Sequence, residues 1–302
     1  MDQSQAAEQA ETTSPPWGAL PVEQYLLAKW DQSSPLPPGQ QRRELVHAFI
    51  EEDEIAIDPA APSEAFASVE AQELVRSVLM PWRGPQLRRI AGMYVAQSEQ
   101  RFGELFVLRT YYGGGAADDD EKLHEWLEQA DPCSESFGGP GGCCWHVLDD
   151  AALFNLGSEK WQNIYDILPE LAAPSTCRTF GDDDVDAVRE LVSARGDERD
   201  PEEDDYEEAV MATAAIASGF LLIVDQQAFE EGEFGLVFRD TKGNIVKEGA
   251  IKPDEVQYLL GYNSRGALTE SEYWVDAAVG SKYKTRGQVM RRLLPVVMSG
   301  LE

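Results

Sequence analysis

The clearest pattern of apolar and polar positions lies in residues 220–261. Two continuous apolar runs of strand length, Phe220–Val224 and Phe234–Phe238, are typical of buried strands. A polar turn follows the second run, and Gly243 supplies in it a position that tolerates a positive φ angle. A third, shorter run ends at Ile251. This stretch predicts an antiparallel β-meander that leads into a helix.

The first hundred residues show helical periodicity instead. Residues 1–20 are polar and predict a disordered arm, whereas 21–102 predict a helical region with Pro-rich breaks. Four helices are predicted there: Pro21–Trp30, Gln40–Ile50, a helix that Ser63 caps and that runs to Leu79, and Leu87–Gln97.

The remainder of the chain alternates between strand and helix patterns. Residues 103–174 predict a first α+β unit, in which strand Glu104–Tyr111 precedes a helix that opens at Asp118. Residues 175–302 predict a second α+β unit, which contains the meander and a solvated acidic insertion at 196–208. The fold class is therefore α+β: a helical N-terminal region followed by one or two related α+β units.

A short internal echo connects the two predicted α+β units. Arg109-Thr110-Tyr111 before Asp118–Asp120 is similar to Arg178-Thr179-Phe180 before Asp182–Asp184. Duplication explains the echo, with residues 103–174 as a shortened repeat. Chance also explains it, because Asp favours the start of any helix.

These residues also carry a family resemblance. The order strand, Arg-Thr-aromatic, acidic helix start, the run LLIVD, a hairpin and the segment LTESEYW resembles an uncharacterised microbial α+β domain family of unknown function. The resemblance covers residues 176–287 and extends to 104–172. It implies an α+β architecture and assigns no catalytic residue. Cys177 departs from it, since an apolar residue is expected there.

The charge balance limits the classes of molecule that are expected to bind this chain. The chain has 55 acidic and 25 basic residues, a net charge of −30. Such a surface repels nucleic acids and anionic membranes and favours cationic protein surfaces. No apolar run has the length of a membrane helix, the N-terminus lacks the pattern of a signal peptide, and the cysteines are few. We expect a cytoplasmic protein, with the nucleus as the alternative.

One group of residues has the chemistry of a metal site. Thiolate and imidazole bind zinc, so Cys133, Cys144 and His146 are candidate ligands. Asp120 lies one helical turn before His124, and its carboxylate suits a hard divalent cation. No cofactor is predicted, and zinc or another divalent metal is the alternative. Buried free cysteines and an acidic helix start explain the same residues without a metal.

Catalysis by a thiolate is the second interpretation of this region. Cys144 or Cys133 is the candidate nucleophile, and His146 or His124 is the candidate base. The sequence shows no complete catalytic set. It predicts a non-catalytic binding or adaptor protein that recognises a cationic protein surface. The alternative is an enzyme that uses a Cys/His or metal site in the loops of residues 113–146.

Overall fold

The computed structural model describes residues 14–58, 60–96, 105–113, 116–130, 145–156, 158–172, 217, 219–259, 272–284 and 287–298. Contacts within the described part divide the chain into two compact units. The first comprises Met1–Glu99, Gln162–Thr179 and Thr241–Gly243, and the second comprises Gln100–Trp161, Phe180–Asp240 and Asn244–Glu302. Helices and a six-stranded mixed sheet together confirm the α+β class.

The first unit is built from helices, as its periodicity predicts. The helices are α1 Pro21–Lys29, α2 Pro38–Glu51, α3 Ala61–Glu64, α4 Val69–Leu74 and α5 Pro85–Ala96. A π-helical turn, Val75–Leu79, continues α4, and a short 3₁₀ turn, Pro169–Leu171, also belongs to this unit. Helices α1, α2 and α5 each carry Pro in their first turn, where its missing N–H costs nothing.

The predicted start of the third helix is wrong. Ser63 lies inside the short helix α3, and the cap of α4 is Ser68, whose hydroxyl accepts from the Ala71 N–H at 3.1 Å. Phe66 and Val69, which fall within the predicted helix, are 44% and 73% exposed. The prediction failed because Ser68 can satisfy a free helical N–H as well as Ser63 can.

The second unit is organised around one sheet. Its strands are β1 Leu105–Arg109, β2 Trp145–Leu148, β3 Gly219–Val224, β4 Phe234–Arg239, β5 Ile245–Ile251 and β6 Ala278–Val279. The strand order is β2-β1-β3-β4-β5-β6. β1 is parallel to both β2 and β3, and the remaining pairs are antiparallel. Strands from both predicted α+β units thus lie side by side in a single sheet.

The structure confirms the strands of the predicted meander and adds one helix that the sequence pattern did not predict. α8, Gln226–Glu231, lies between β3 and β4. Asp225 caps it by accepting from the Ala228 N–H at 2.9 Å, and Gly232 ends it with a φ of 80°. Asp before and Gly after a short helix are standard boundary signals. They did not stand out because the flanking apolar runs are close enough for a simple hairpin.

The sheet packs against helix α6, Ala116–Ala130. Trp126 from this helix stacks on Phe229 with ring centroids 5.6 Å apart, and it meets Phe234 edge-on at 5.4 Å. Large aromatic rings in such contacts bury much apolar surface, so they hold the helix on the sheet. These rings belong to the main buried core of the second unit, as their apolar positions predict.

The other helical elements in the described ranges are short or irregular. They are α7 Ala151–Phe154, a 3₁₀ segment Ser158–Asp166, a 3₁₀ turn Pro253–Glu255, α9 Val256–Leu259, α10 Glu272–Val275 and α11 Met290–Met298. Pro295 lies inside α11. None of the helices in the described ranges is long and apolar enough to cross a membrane.

Several predictions concern residues outside the described part of the chain. They include most of the N-terminal arm, the insertion at 196–208, and the second half of the internal echo at Arg178–Asp184. The duplication therefore stays a prediction.

Candidate functional site

A groove of about 710 Å³ lies within the first unit. Helix α1 forms one wall, the irregular segment Glu54–Asp58 forms a second, and α3 with α4 forms the third. Its lining residues are Gln24, Tyr25, Leu27, Ala28, Lys29, Glu52, Glu54, Ile55, Ala56, Ile57, Asp58, Ala61, Glu64, Ala65, Ala71 and Leu74. A groove of this size and apolar content can hold several side chains of a ligand.

Much of the groove surface is aliphatic and partly open to solvent. Ile55 is 7% exposed, so it is seated in the fold, whereas Ile57 is 43% exposed. Phe66, shortly after α3, and Val69, the first residue of α4, are also exposed, and they lie close in sequence to the lining residues Ala65 and Ala71. A water-exposed aliphatic surface gains free energy when a partner covers it.

The polar residues of the groove are mainly acidic. Four carboxylates line it, and the single ammonium among its lining residues is that of Lys29, so the groove carries a formal charge of −3. The carboxylates are Glu52, Glu54, Asp58 and Glu64. All four residues are exposed. An acidic edge around an aliphatic surface is complementary to a ligand that is both basic and apolar.

A buried network of charges fixes helix α1 in the first unit. Glu23 accepts from Arg88 Nε at 2.6 Å and lies 3.6 Å from Arg83, which donates to both oxygens of Glu170 at 2.9 and 2.8 Å. All four side chains are at most 4% exposed. Arg88 also stacks on Trp17, with its guanidinium carbon 3.6 Å from the ring centroid. Charges removed from water are stable only when paired, so this network holds α1 in one position.

Hydrogen bonds hold the second wall of the groove against α1. Gln24 Nε2 donates to the Asp58 carbonyl at 3.1 Å, and the Asp58 N–H donates to Gln24 Oε1 at 2.9 Å. Tyr25 donates from its hydroxyl to Glu52 at 3.1 Å. The wall ends in a local turn, in which the Asp58 carboxylate accepts from the Ala60 N–H at 2.8 Å. The groove is therefore shaped before any ligand arrives.

The cysteine candidates lie outside the described part of the chain. These are Cys133 and Cys144, and Cys177 lies outside it as well. His146, the third zinc candidate, is in strand β2 and is half-buried. Its ring stacks on Phe106 with centroids 4.9 Å apart. The Cys/His nucleophile and the zinc site stay predictions.

The two candidates in helix α6 have separate partners. His124 is exposed and lies 3.3 Å from Glu128, one turn further along the helix. Asp120 accepts a hydrogen bond from Arg109 at 2.5 Å. Within the described ranges, no three His, Cys, Asp or Glu side chains group closely enough to hold a metal ion. A cation on Asp120 has to compete with the Arg109 guanidinium for the same oxygen.

Arg109 itself lies where the three parallel strands end. It is 2% exposed, bonds Asp120, and reaches Asp149, at the end of β2, at 3.4 Å. Burial opposes its positive charge, but the two carboxylates outweigh burial and raise the pKa of Arg109. Thr110, the next residue, is fully buried, and its hydroxyl has no partner within the part of the chain that the structure describes.

Tyr112 completes this cluster. Its ring lies 4.6 Å from the Arg109 guanidinium, and its hydroxyl donates to the Arg109 carbonyl at 3.3 Å. Burial, followed by the negative charge of Asp149, raises the pKa of Tyr112 well above its usual value. Through Asp120 and Asp149, the charged Arg109 guanidinium links β1 to α6 and to the end of β2.

Comparisons with known proteins found no relative. No family model, no curated protein and no solved structure matches this chain. The resemblance to an uncharacterised family therefore stays an expectation from the sequence, and the groove has to be interpreted from its own chemistry.

Proposed function

We propose that this protein is a non-catalytic binding or adaptor protein that holds a cationic segment of another protein in the groove of its first unit. The observation that carries the proposal is the union of an aliphatic surface with four carboxylates and one ammonium. Apolar contact supplies most of the affinity, and the carboxylates select basic partners.

The whole chain supports the same choice of partner. A net charge of −30 attracts basic proteins over a distance of about one Debye length, roughly 8 Å at physiological salt. The same charge disfavours nucleic acids and anionic lipids. The expected compartment is the cytoplasm, where basic protein segments are available as partners, or the nucleus.

The experiment uses the full chain and synthetic peptides of about 14 residues that contain only Leu and Lys, long enough for either a strand or a helix. We call them Leu–Lys peptides. The control peptides carry Glu in place of Lys. Calorimetry measures the dissociation constants at low and high salt. At least one arrangement of the Leu–Lys residues is expected to bind, the Glu peptides are expected not to bind, and salt is expected to weaken binding.

Two double variants locate the interaction. Glu54→Lys with Glu64→Lys reverses two exposed charges of the groove, and Glu121→Lys with Glu125→Lys reverses two exposed charges on α6. Both variants change the net charge by the same amount. The first is expected to weaken binding about tenfold or more and the second less than about twofold. Equal weakening in both contradicts a site in the groove, and no binding by any Leu–Lys peptide contradicts the function.

A further inference from the structure

The second wall of the groove has the pattern of a β-strand but not its pairing. Its sequence, Glu54-Ile55-Ala56-Ile57-Asp58, alternates polar or small residues with isoleucine. Ile55 is buried, Ala56 is exposed, and Ile57 is 43% exposed, so the isoleucines alternate in sequence while only the first is covered by the fold. Glu54 forms a single β-bridge, and the backbone of Glu52 just before it is extended, with φ −61° and ψ 136°.

The backbone of this wall has unused hydrogen-bonding capacity. Beyond the bridge at Glu54, and within the described part of the chain, no hydrogen bond involves the N–H or C=O groups of Ile55, Ala56 or Ile57. Bonding resumes at Asp58, whose N–H and C=O both pair with Gln24. A short stretch of strand-like backbone without partners is a template on which another chain can add as a strand.

The position of this backbone within the groove fits an added strand. The stretch itself lines the groove together with apolar residues of α1 and α4, such as Leu27 and Leu74. Alternate residues of a strand lie about 7 Å apart on the same face. One face of an added strand then contacts the aliphatic surface, and the other face presents its side chains to the carboxylates.

From these observations we infer that the groove binds its partner by strand addition along Ile55–Ile57. The partner segment is extended and alternates apolar with basic residues. Main-chain hydrogen bonds align it, apolar side chains fill the groove, and basic side chains pair with Glu54 and Glu64. This inference rests on the proposed function, because it specifies the form in which a cationic segment binds.

The test compares three peptides on the full chain. The first alternates Leu and Lys, so it has strand periodicity. The second has the same composition and length with Leu at helical spacing (i, i+3, i+4, i+7). The third repeats the first in two forms, which carry N-methyl groups at alternate residues along one edge or along the other and so remove the hydrogen-bond donors of that edge.

The alternating peptide is expected to bind about tenfold more tightly than the helical one, and N-methylation on one of its two edges is expected to weaken it by about the same factor. Equal or tighter binding of the helical peptide, or indifference to N-methylation of either edge, overturns strand addition while the proposed function stands. Failure of all the peptides overturns both. The two failures are therefore distinguishable.

A matched pair of variants separates binding in the groove from nonspecific apolar binding elsewhere on the surface. Ile57 and Met80 are 43% and 45% exposed, and only Ile57 lines the groove. Ile57→Ser is expected to weaken the alternating peptide about tenfold, and Met80→Ser less than about twofold. Sedimentation of the free chain tests whether a second copy of the chain occupies the groove instead of another protein. A dimer that Ile57→Ser dissociates overturns the inference.

Discussion

The side chain of Gln24 pairs with the backbone of Asp58 in the manner of a neighbouring strand. Gln24 Nε2 donates to the carbonyl at 3.1 Å, and Oε1 accepts from the N–H at 2.9 Å. The two residues are 34 positions apart, and both line the groove. This pair sets the distance between helix α1 and the wall on which we place the partner.

Replacement of Gln24 tests whether the wall needs this support. Gln24→Ala removes both bonds, so we expect faster hydrogen exchange at Asp58 and binding of the alternating Leu–Lys peptide weakened about fivefold. Gln257→Ala is the matched control. Gln257 donates to the backbone carbonyl of Asp254 at 3.0 Å, and neither residue lines the groove. Unchanged exchange at Asp58 in Gln24→Ala would show that the wall holds its position without the pair.

The buried pair of Arg83 and Glu170 predicts a large effect on stability. Arg83→Met leaves the Glu170 carboxylate buried without its main partner, which costs about 3–5 kcal/mol. Arg76→Met breaks only exposed contacts, those with Glu73 and Gln72, and is expected to cost at most about 1 kcal/mol. Native-state hydrogen exchange of α1 measures the free energy of unfolding of the first unit. Similar values for the two variants would contradict the network.

Two glycines with positive φ angles form a matched pair. Gly232 has φ 80° and open space where the Cβ atom of an alanine would lie. Gly243 has φ 70°, and an alanine Cβ atom at this position would lie only 2.6 Å from the Cβ atom of Ala172. Gly232→Ala is expected to cost about 1–2 kcal/mol from the backbone conformation alone. Gly243→Ala is expected to cost about 1–3 kcal/mol more from overpacking. Denaturant unfolding of each variant checks the order, and equal costs would contradict the close approach.

Tyr283 predicts a loss of stability at alkaline pH. Its buried hydroxyl donates to Asp240 at 2.6 Å, and burial, followed by the charge of Asp240, raises the pKa of Tyr283 well above 10.0. The folded protein thus keeps a proton that the unfolded chain loses above pH 10, so stability is full below pH 10 and falls as the pH rises.

The variant Tyr283→Phe removes this proton. We expect the wild type to lose stability above pH 10 more steeply than the variant, by about 1.4 kcal/mol per pH unit. Urea unfolding of both proteins at a series of pH values gives the difference, which cancels the contributions of other groups such as Tyr112 and Lys247. Parallel curves would contradict a raised pKa.

Local patterns predicted the strands and helices well where one signal dominated. The apolar runs at Phe220–Val224 and Phe234–Phe238 became β3 and β4, and Gly243 takes the positive φ angle that its turn requires. Signals of equal strength gave errors, as with Ser63 and Ser68. Periodicity also cannot show that β1 pairs with both β2 and β3, because strand pairing depends on contacts between distant residues.

The sequence could not predict the groove, because the groove also depends on contacts between distant residues. Its walls come from three separate stretches, and the alternation of Ile55 and Ile57 is too short to stand out between two helices. The acidic composition did predict a cationic partner, which remains the proposal. Residue type alone made Cys144 and His146 candidates. Whether they lie close together stays a prediction, since Cys144 lies outside the described residues.

Hydrogen exchange of the full chain with and without the alternating Leu–Lys peptide shows which backbone amides the peptide covers. We expect new protection at the amides of Ile55–Ile57 and along the facing part of α1, Gln24–Lys29, while the amides of α6 stay unchanged. Protection that spreads over the acidic surface, or that falls on α6 and leaves Ile55–Ile57 unprotected, would contradict a binding site in the groove.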